Sequence, residues 1–242
     1  MRDESIHPSE SYSYGGNELS LFQEAHHWKR YVRAKLSPYI HGRVLEVGAG
    51  IGGTTQYLAE LGTHWLSLEP DAVLAAQIAA TLSQHAARER VRIHCGTLDS
   101  LGQNDTFDTI LYIDVLEHIE NDKREILSAT SHLAAEGRLI VLSPAHPFLF
   151  TPFDAHIGHY RRYNKKSLGA LIPPSLHSET VQYLDSVGLL ASLGNRLLLK
   201  SSMPTAAQIA LWDRCMVPVS SYLDAVFGYA LGKTIVGVWR LT

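Results

Sequence analysis

The chain has 242 residues, 45% of them hydrophobic and 19% charged, with a formal net charge of -3, a balance that excludes a disordered or low-complexity chain and predicts a real core. Nothing in it favours a polyanion, so nucleic acid is not an expected partner, although Lys29, Arg30 and Arg33 make a local cationic patch. The richest apolar stretch, 187–199, is broken by Gly194, Asn195 and Arg196, and Cys95 and Cys215 lie far apart without CxxC spacing; no transmembrane segment and a reduced, cytoplasmic setting are expected.

One domain is expected over 1–242, since single cores grow to about 250 residues before they split. Residues 1–16 are polar and turn-rich and read as an arm or lid strand. From Asn17 to Ile40, Leu21, Ala25, Trp28, Val32 and Leu36 recur at helical spacing, one face of a helix that Pro38 ends. RVLEV (43–47) is a short buried-strand pattern that runs into GAGIGG and then a helix, TTQYLAELG, with Gly62 as its C-cap. The rhythm repeats in HWLSLEP (strand), DAVLAAQIAATLSQHA (helix), VRIHC and FDTILYID (strands), KREILSATSHLA (helix) and RLIVLSP (strand). This alternation over 41–145 predicts an α/β fold, a doubly wound Rossmann-like sheet with helices on both faces, mostly parallel with an antiparallel last strand. After Pro144 come a lid loop (146–175) containing FDAHIGHYRRYN, a helix capped by Asn164, a strand TVQYLDSV and a final strand KTIVGVWR. Residues 188–231, between those strands, read as an insertion of apolar-rich helices, too long for a simple connection.

Gly48, Gly50 and Gly53 satisfy G-x-G-x-x-G between a strand and a helix, where a backbone without Cβ atoms lets a nucleotide approach a helix N-terminus; packing alone can demand the same glycines. Glu46 lies inside the apolar first strand, so its carboxylate must meet a cation or donors. Glu69 ends the second strand about twenty residues past the turn, a position from which both ribose hydroxyls can be bound. Asp99 follows the third strand, within reach of an adenine amino group.

Together VLEVGAGIGGTT, SLEPD, GTLDSL and FDTILYIDVLEHI resemble the motif series of class I S-adenosylmethionine-dependent methyltransferases over residues 41–145. The resemblance implies S-adenosyl-L-methionine as cofactor and methyl transfer to a small-molecule acceptor, through oxygen or nitrogen, in biosynthesis. Glu46 would take up the methionine ammonium directly or through water, and Gly48, Gly50 and Gly52 would line the cofactor's amino acid. Glu69, beside Pro70, would hold the ribose, and Leu98 and Asp99 would flank the adenine. Ile113, Asp114, Val115 and His118 would face the sulfonium end; Glu117 and His118 would equally serve to cap and solubilise a helix start. An NAD(P)-dependent oxidoreductase shares the glycine spacing and the ribose acid but has no task for an acid at position 46.

In a doubly wound sheet ligands bind beyond the carboxyl ends of the strands, so the lid loop should overhang the transferable methyl group. Tyr160, Arg161, Arg162 and Tyr163 are expected to wall and anchor an anionic acceptor; the bland alternative has the arginines bridging nearby carboxylates and the tyrosines packing on the core. This loop and the final VPVSSYLDAVFGYALGKTIVGVWR also look like a group of bacterial class I methyltransferases from surface-polysaccharide and natural-product pathways. In relatives the N-terminal helix closes the pocket, which would give Trp28 and Tyr31 that role. His146 and His159 are the candidate general bases, with His118 behind them, although Pro144 and Pro147 could simply be ordering His146. His156 and His159 lack a neighbouring acid or cysteine pattern, so no metal is expected. Leu211, Trp212, Tyr222, Val226 and Phe227 either pack in the core or form an apolar face, through which the chain would homodimerise or lie peripherally on a membrane. A non-catalytic nucleoside-binding protein is the third reading.

Overall fold

The computed structural model describes residues 18–194 and 205–242; the arm of 1–16 and the centre of the expected insertion lie outside the described residues. Seven strands, β1 (Arg43–Val47), β2 (His64–Glu69), β3 (Val91–Cys95), β4 (Phe107–Ile113), β5 (Leu133–Pro144), β6 (Leu176–Leu184) and β7 (Thr234–Leu241), form one sheet in the order β3-β2-β1-β4-β5-β7-β6. Strands β1 to β5 pair in parallel, whereas β7 is antiparallel to both β5 and β6. The order reverses between β1 and β4, which opens a crevice at their carboxyl ends.

Both faces are covered because the central strands are apolar on both sides. Along β5, Leu139 and Val141 join one cluster while Ile140 and Leu142 join the other, the two-residue period of a strand buried on both faces. The first layer is closed by α5 (Asp122–Ser131) and α7 (Lys165–Gly169). Against the opposite face lie α2 (His26–Leu36), α3 (Thr55–Leu58), α9 (Ala206–Leu211) and α10 (Val217–Val226). Among the described residues no helix is long and apolar enough to cross a membrane.

Several elements differ from the sequence pattern, each for a local reason. The single helix expected over 17–40 is divided into Glu18–Gln23 and α2, because Asp213, far along the chain, accepts from the backbone N–H groups of His27 (3.2 Å) and Trp28 (2.8 Å). A new helix start is thus capped from outside. The helix expected to run to Ala134 stops at Ser131; Leu133 pairs with Phe107, and a register shift with Glu136 at φ 64° lengthens β5 backwards. The strand expected over 180–187 starts earlier and ends at Leu184. Asp185, at φ 67°, turns the chain into the helix Ser186–Gly194. Gly62 follows a short 3-10 turn in an extended conformation (φ -93°, ψ 158°), not as a left-handed cap. Asn164 caps α7 as its position suggested, accepting from Ser167 N at 2.8 Å.

Candidate functional site

The turn after β1 is built from left-handed glycines: Gly48, Gly50 and Gly52 have φ of 68°, 57° and 79°. Gly53 is not among them, so the third conformationally required glycine is Gly52. A Cβ on Gly48 would lie 2.6 Å from Val115 Cγ2, which ties this turn closely to the loop after β4. Gly48 N and Ala49 N donate to Leu68 O at 2.8 and 3.1 Å, pulling the turn over β2. The N-terminal helices overhang it from above. A Cβ on Gly50 would meet Leu19 at 3.6 Å, and one on Gly53 would meet Lys29 Nζ at 3.1 Å. Burial lowers the Lys29 ammonium to about 8, against the opposing pull of Glu24 and Asp213.

Two carboxylates flank the turn. Glu46 is fully buried, and its Oε2 accepts from Thr55 Oγ1 (2.6 Å), Trp65 Nε1 (2.9 Å) and Ser67 Oγ (3.3 Å). Among the described residues no cation answers it, and burial pushes its carboxyl up to about 7 although those three donors favour the ionised form. Glu69 is held by the backbone, Oε2 accepting from Gly50 N at 2.7 Å and Oε1 from Asp71 N at 3.0 Å. Burial raises this carboxyl too, with the two N–H groups opposing. Pro70 is half-buried beside it, and Leu98 is buried while Asp99 is exposed on the one-turn segment Leu98–Ser100.

Beyond β4, Asp114 adopts φ 54° and is exposed, yet the protein packed around its carboxyl raises it to about 6, partly offset by His159 and Lys233. Val115 rests on Gly48, and Ile113 is half-buried at the strand end. Glu117, which the sequence allowed as a helix cap, is instead wholly buried; Ser143 Oγ donates to its Oε2 at 2.8 Å, while Oε1 has no hydrogen-bond partner among the described residues. Burial and then Asp114 push its carboxyl well up. His118 meets His159 edge to face, ring centroids 4.5 Å apart, and burial together with that neighbour lowers its imidazole to about 4.

The lid supplies His159. Its Nδ1 lies 3.0 Å from Asp154 Oδ1, so the Nδ1–H donates to that carboxylate, and its Nε2 lies 3.8 Å from Glu117 Oε1. Asp154 is in turn clasped by Arg162, Nε to Oδ1 at 2.8 Å and Nη2 to Oδ2 at 3.0 Å. Arg161 pairs with Asp122 and donates to Glu120 O. Both guanidiniums expected to dock an anionic acceptor are therefore engaged by carboxylates of the chain itself. Tyr163 is buried, and its hydroxyl donates to Asp122 Oδ2 at 2.8 Å, while its side borders the same cavity as Arg161 and Arg162. Tyr160 remains exposed, on a cavity of about 420 Å³ that Arg161, Arg162, Pro147 and Phe150 help to line, away from the glycine turn.

His146 stacks on Tyr183 at 4.8 Å between centroids, and its Nε2 lies 2.9 Å from Gly232 O. Its Nε2 proton is thereby held by a carbonyl. Trp28 and Tyr31 are engaged within the chain itself. Tyr31 is buried and donates to Asp224 Oδ2 at 2.8 Å, while Trp28 packs on Tyr31 and on Trp212. Trp212 is itself buried, with Nε1 donating to Asp185 Oδ2 at 2.6 Å, so it drops out of the expected apolar face. Leu211, Tyr222, Val226 and Phe227 stay exposed.

Sequence reasoning missed Asp154, Lys233 and the burial of Glu117. Lys233 lies over the Trp212 ring at 3.9 Å and reaches Asp185 Oδ2 at 3.4 Å. Burial lowers its ammonium against the pull of Asp185 and Asp114. The signal available was an acid seven residues before RR for Asp154; nothing short-range announces Lys233.

Residues 45–139 match a family model described as a methyltransferase domain. Norajmaline N-methyltransferase of Rauvolfia serpentina is 32% identical over 108 residues, 43% of this chain and 36% of that protein. Demethylmenaquinone methyltransferase of Tropheryma whipplei is 30% identical over 155 residues, 64% of this chain and 62% of that protein. The chain thus spans less than two thirds of the length of these relatives. The structure of N-methyltransferase NodS from Bradyrhizobium japonicum with S-adenosyl-l-homocysteine shares the fold, with TM-score 0.57 at 13% identity over 94% of this chain and 93% of that one.

Proposed function

We propose that the chain is, through residues 45–139, a class I S-adenosylmethionine-dependent methyltransferase, and that it transfers a methyl group from S-adenosylmethionine to an oxygen or nitrogen of a small-molecule acceptor in biosynthesis. The observation that carries this reading is the pair Glu46 and Glu69 on either side of a turn with three left-handed glycines. A nucleotide needs the open backbone; only a cofactor with an amino-acid end gives the buried acid at 46 a task. All three donors to Glu46 address Oε2, which leaves Oε1 for the methionine ammonium. Glu69 is oriented through one N–H on each oxygen, and each oxygen keeps a lone pair for a ribose hydroxyl. Leu98 and Asp99 would flank the adenine, and Asp114, Val115 and His118 the sulfonium end.

S-adenosylmethionine supplies the electrophilic methyl; the chain supplies alignment, a dry crevice and a proton acceptor. Of the two candidate bases, the lid geometry favours His159, whose Nε2 is the acceptor atom because Asp154 holds its other nitrogen. His146 has its Nε2 tied to Gly232 O and its ring against Tyr183, which supports a role in holding the lid. The relatives' names, an N-methyltransferase and a demethylmenaquinone methyltransferase, support a small-molecule acceptor. The exposed residues of α10 and its flank support a second copy of the chain as partner, which concentration-dependent mass in sedimentation tests.

The experiment is calorimetric titration with S-adenosylmethionine, S-adenosylhomocysteine and NADH in parallel, followed by labelled-methyl transfer to a panel of acceptors. Binding of the two sulfur nucleosides is expected, with loss in Glu69→Ala and retention in Arg162→Ala. Binding of NADH in their place would make the protein a reductase.

A further inference from the structure

Where the chain after β4 meets the lid, a carboxylate and two imidazoles converge. Glu117, His118 and His159 each offer one ligand atom, all within 4.8 Å of one another. Glu117 Oε1 is buried and without a hydrogen-bond partner, a costly state for a carboxylate oxygen and one that a native structure keeps for a purpose. The obvious occupant, His159 Nε2, stands 3.8 Å away, beyond hydrogen-bond reach. Donors about 2.0–2.2 Å from a shared ion lie roughly 3–3.5 Å from each other, so a small rotation of each side chain brings the three into a ligand set.

The surroundings are those of a prepared metal site. Asp154 accepts from Nδ1 of His159, the carboxylate–histidine arrangement that fixes the tautomer and aims the other nitrogen at a metal. Asp154 is locked by Arg162 and by Thr151, whose N and Oγ1 donate to it at 2.7 and 2.8 Å. The backbone joins both halves: Tyr160 N donates to Glu117 O at 2.8 Å, and His159 N to Asp154 O at 2.8 Å. Ser143 holds the second oxygen of Glu117. Asp114 stands beside the set as a further negative charge, open to the cleft.

We propose that Glu117, His118 and His159 bind a divalent transition-metal ion, with Asp154 orienting His159. Two imidazoles and one carboxylate select zinc, cobalt, iron or manganese over magnesium and calcium, which prefer oxygen alone. Three protein ligands leave coordination positions open. Where the methyl-transfer reading holds, and this role alone rests on it, the ion binds an acceptor hydroxyl and its proton passes to water. The oxygen lone pair then forms the O–CH3 bond as the C–S pair returns to sulfur. The Nε2 lone pair of His159 serves the ion in this arrangement, and the ion replaces it as the means of deprotonation.

The test is titration of the chelator-treated full chain with Co2+, followed by visible d–d absorption and by calorimetry. One ion per chain is expected, with binding reduced about 10–100-fold in Asp154→Asn and more in His159→Ala and His118→Ala. Glu117→Gln, of the same shape, should also lose the site while keeping its circular dichroism. Absence of saturable Co2+ and Zn2+ binding by the wild type, or equal binding by His118→Ala and His159→Ala, overturns the proposal. Calorimetry with S-adenosylhomocysteine on the same samples reports separately on the cofactor, so failure of either reading is seen without the other.

Discussion

Protonation of Glu46 should set the pH dependence of cofactor binding. Its carboxyl is held at about 7 rather than 4.5 because burial in the β1 interior disfavours the charged form. A shift of that size corresponds to about 3 kcal/mol favouring the protonated form in the folded chain. The sign follows from proton counting: between about pH 4.5 and 7 the folded state binds the extra proton, so this group's contribution to stability falls as pH rises through that window and is constant above it. A methionine ammonium on Oε1 reverses the preference. Affinity for S-adenosylhomocysteine should therefore rise about tenfold per pH unit up to about 7 and level off above, with close to one proton released on binding at about pH 6. Calorimetry in buffers of different ionisation enthalpy measures both quantities. In Glu46→Gln the amide oxygen must face Thr55, Trp65 and Ser67, which turns its NH2 toward the ammonium. That variant should bind about 10–100-fold more weakly, the worth of a charge-assisted hydrogen bond, and without pH dependence. Wild-type affinity that is flat from about pH 6 to 8, with no proton release, refutes the ammonium assignment.

Gly48→Ala forces φ 68° on a residue with a Cβ 2.6 Å from Val115 Cγ2 and should cost about 1–3 kcal/mol. Gly53→Ala meets only the end of Lys29 and should cost less, so a Gly48→Ala melting temperature no lower than that of Gly53→Ala contradicts the turn geometry. Asp224→Ala strips the acceptor from Tyr31 Oη and from the N–H groups of Asp185 and Ser186; at about 1–3 kcal/mol for each stranded group, denaturant unfolding should show a loss of several kcal/mol. His159→Ala should lower methyl transfer about 100-fold or more, whereas His146→Ala should act mainly on thermal stability; equal effects on turnover would return His146 to the chemistry.

The sheet was legible because its evidence is local: RVLEV, HWLSLEP, FDTILYID and RLIVLSP each carry their own burial pattern, and all four became strands. The meeting of the glycine turn with Glu69 was legible for a related reason, since Gly48, Gly50 and Glu69 lie within one β-turn-α-β unit whose spacing brings Gly50 N onto Glu69. The break at Glu24–Ala25 was not, because the cap for α2 comes from Asp213, whose distance in sequence hides it from any window. Whether Arg161, Arg162 and Tyr163 anchor an acceptor or bridge and pack within the chain stayed open in the sequence for the same reason. Their partners Asp122 and Asp154 are known only once α5 and the lid are folded against each other. His159 was discounted as a metal ligand for want of a nearby acid; Glu117 and His118 come from 42 and 41 residues earlier in the chain.

These long-range contacts join into one buried polar line. Asp224 receives Tyr31 from the N-terminal helix and the N–H groups that start the helix after β6. Asp185 receives Ser220, Trp212 and Gly188 from the insertion, and Lys233 reaches it from the start of β7. Lys233 also lowers the carboxyl of Asp114 at the cleft floor. Buried acids of this kind are costly unless each oxygen is answered, and here the answers come from segments that would otherwise be independent appendages. The insertion and the N-terminal helix are therefore bound to the same charges that shape the cleft. A change at Trp212 or Tyr31, far from any expected ligand, should reach Asp114 through Asp185 and Lys233 by altering which carboxylate the lysine answers.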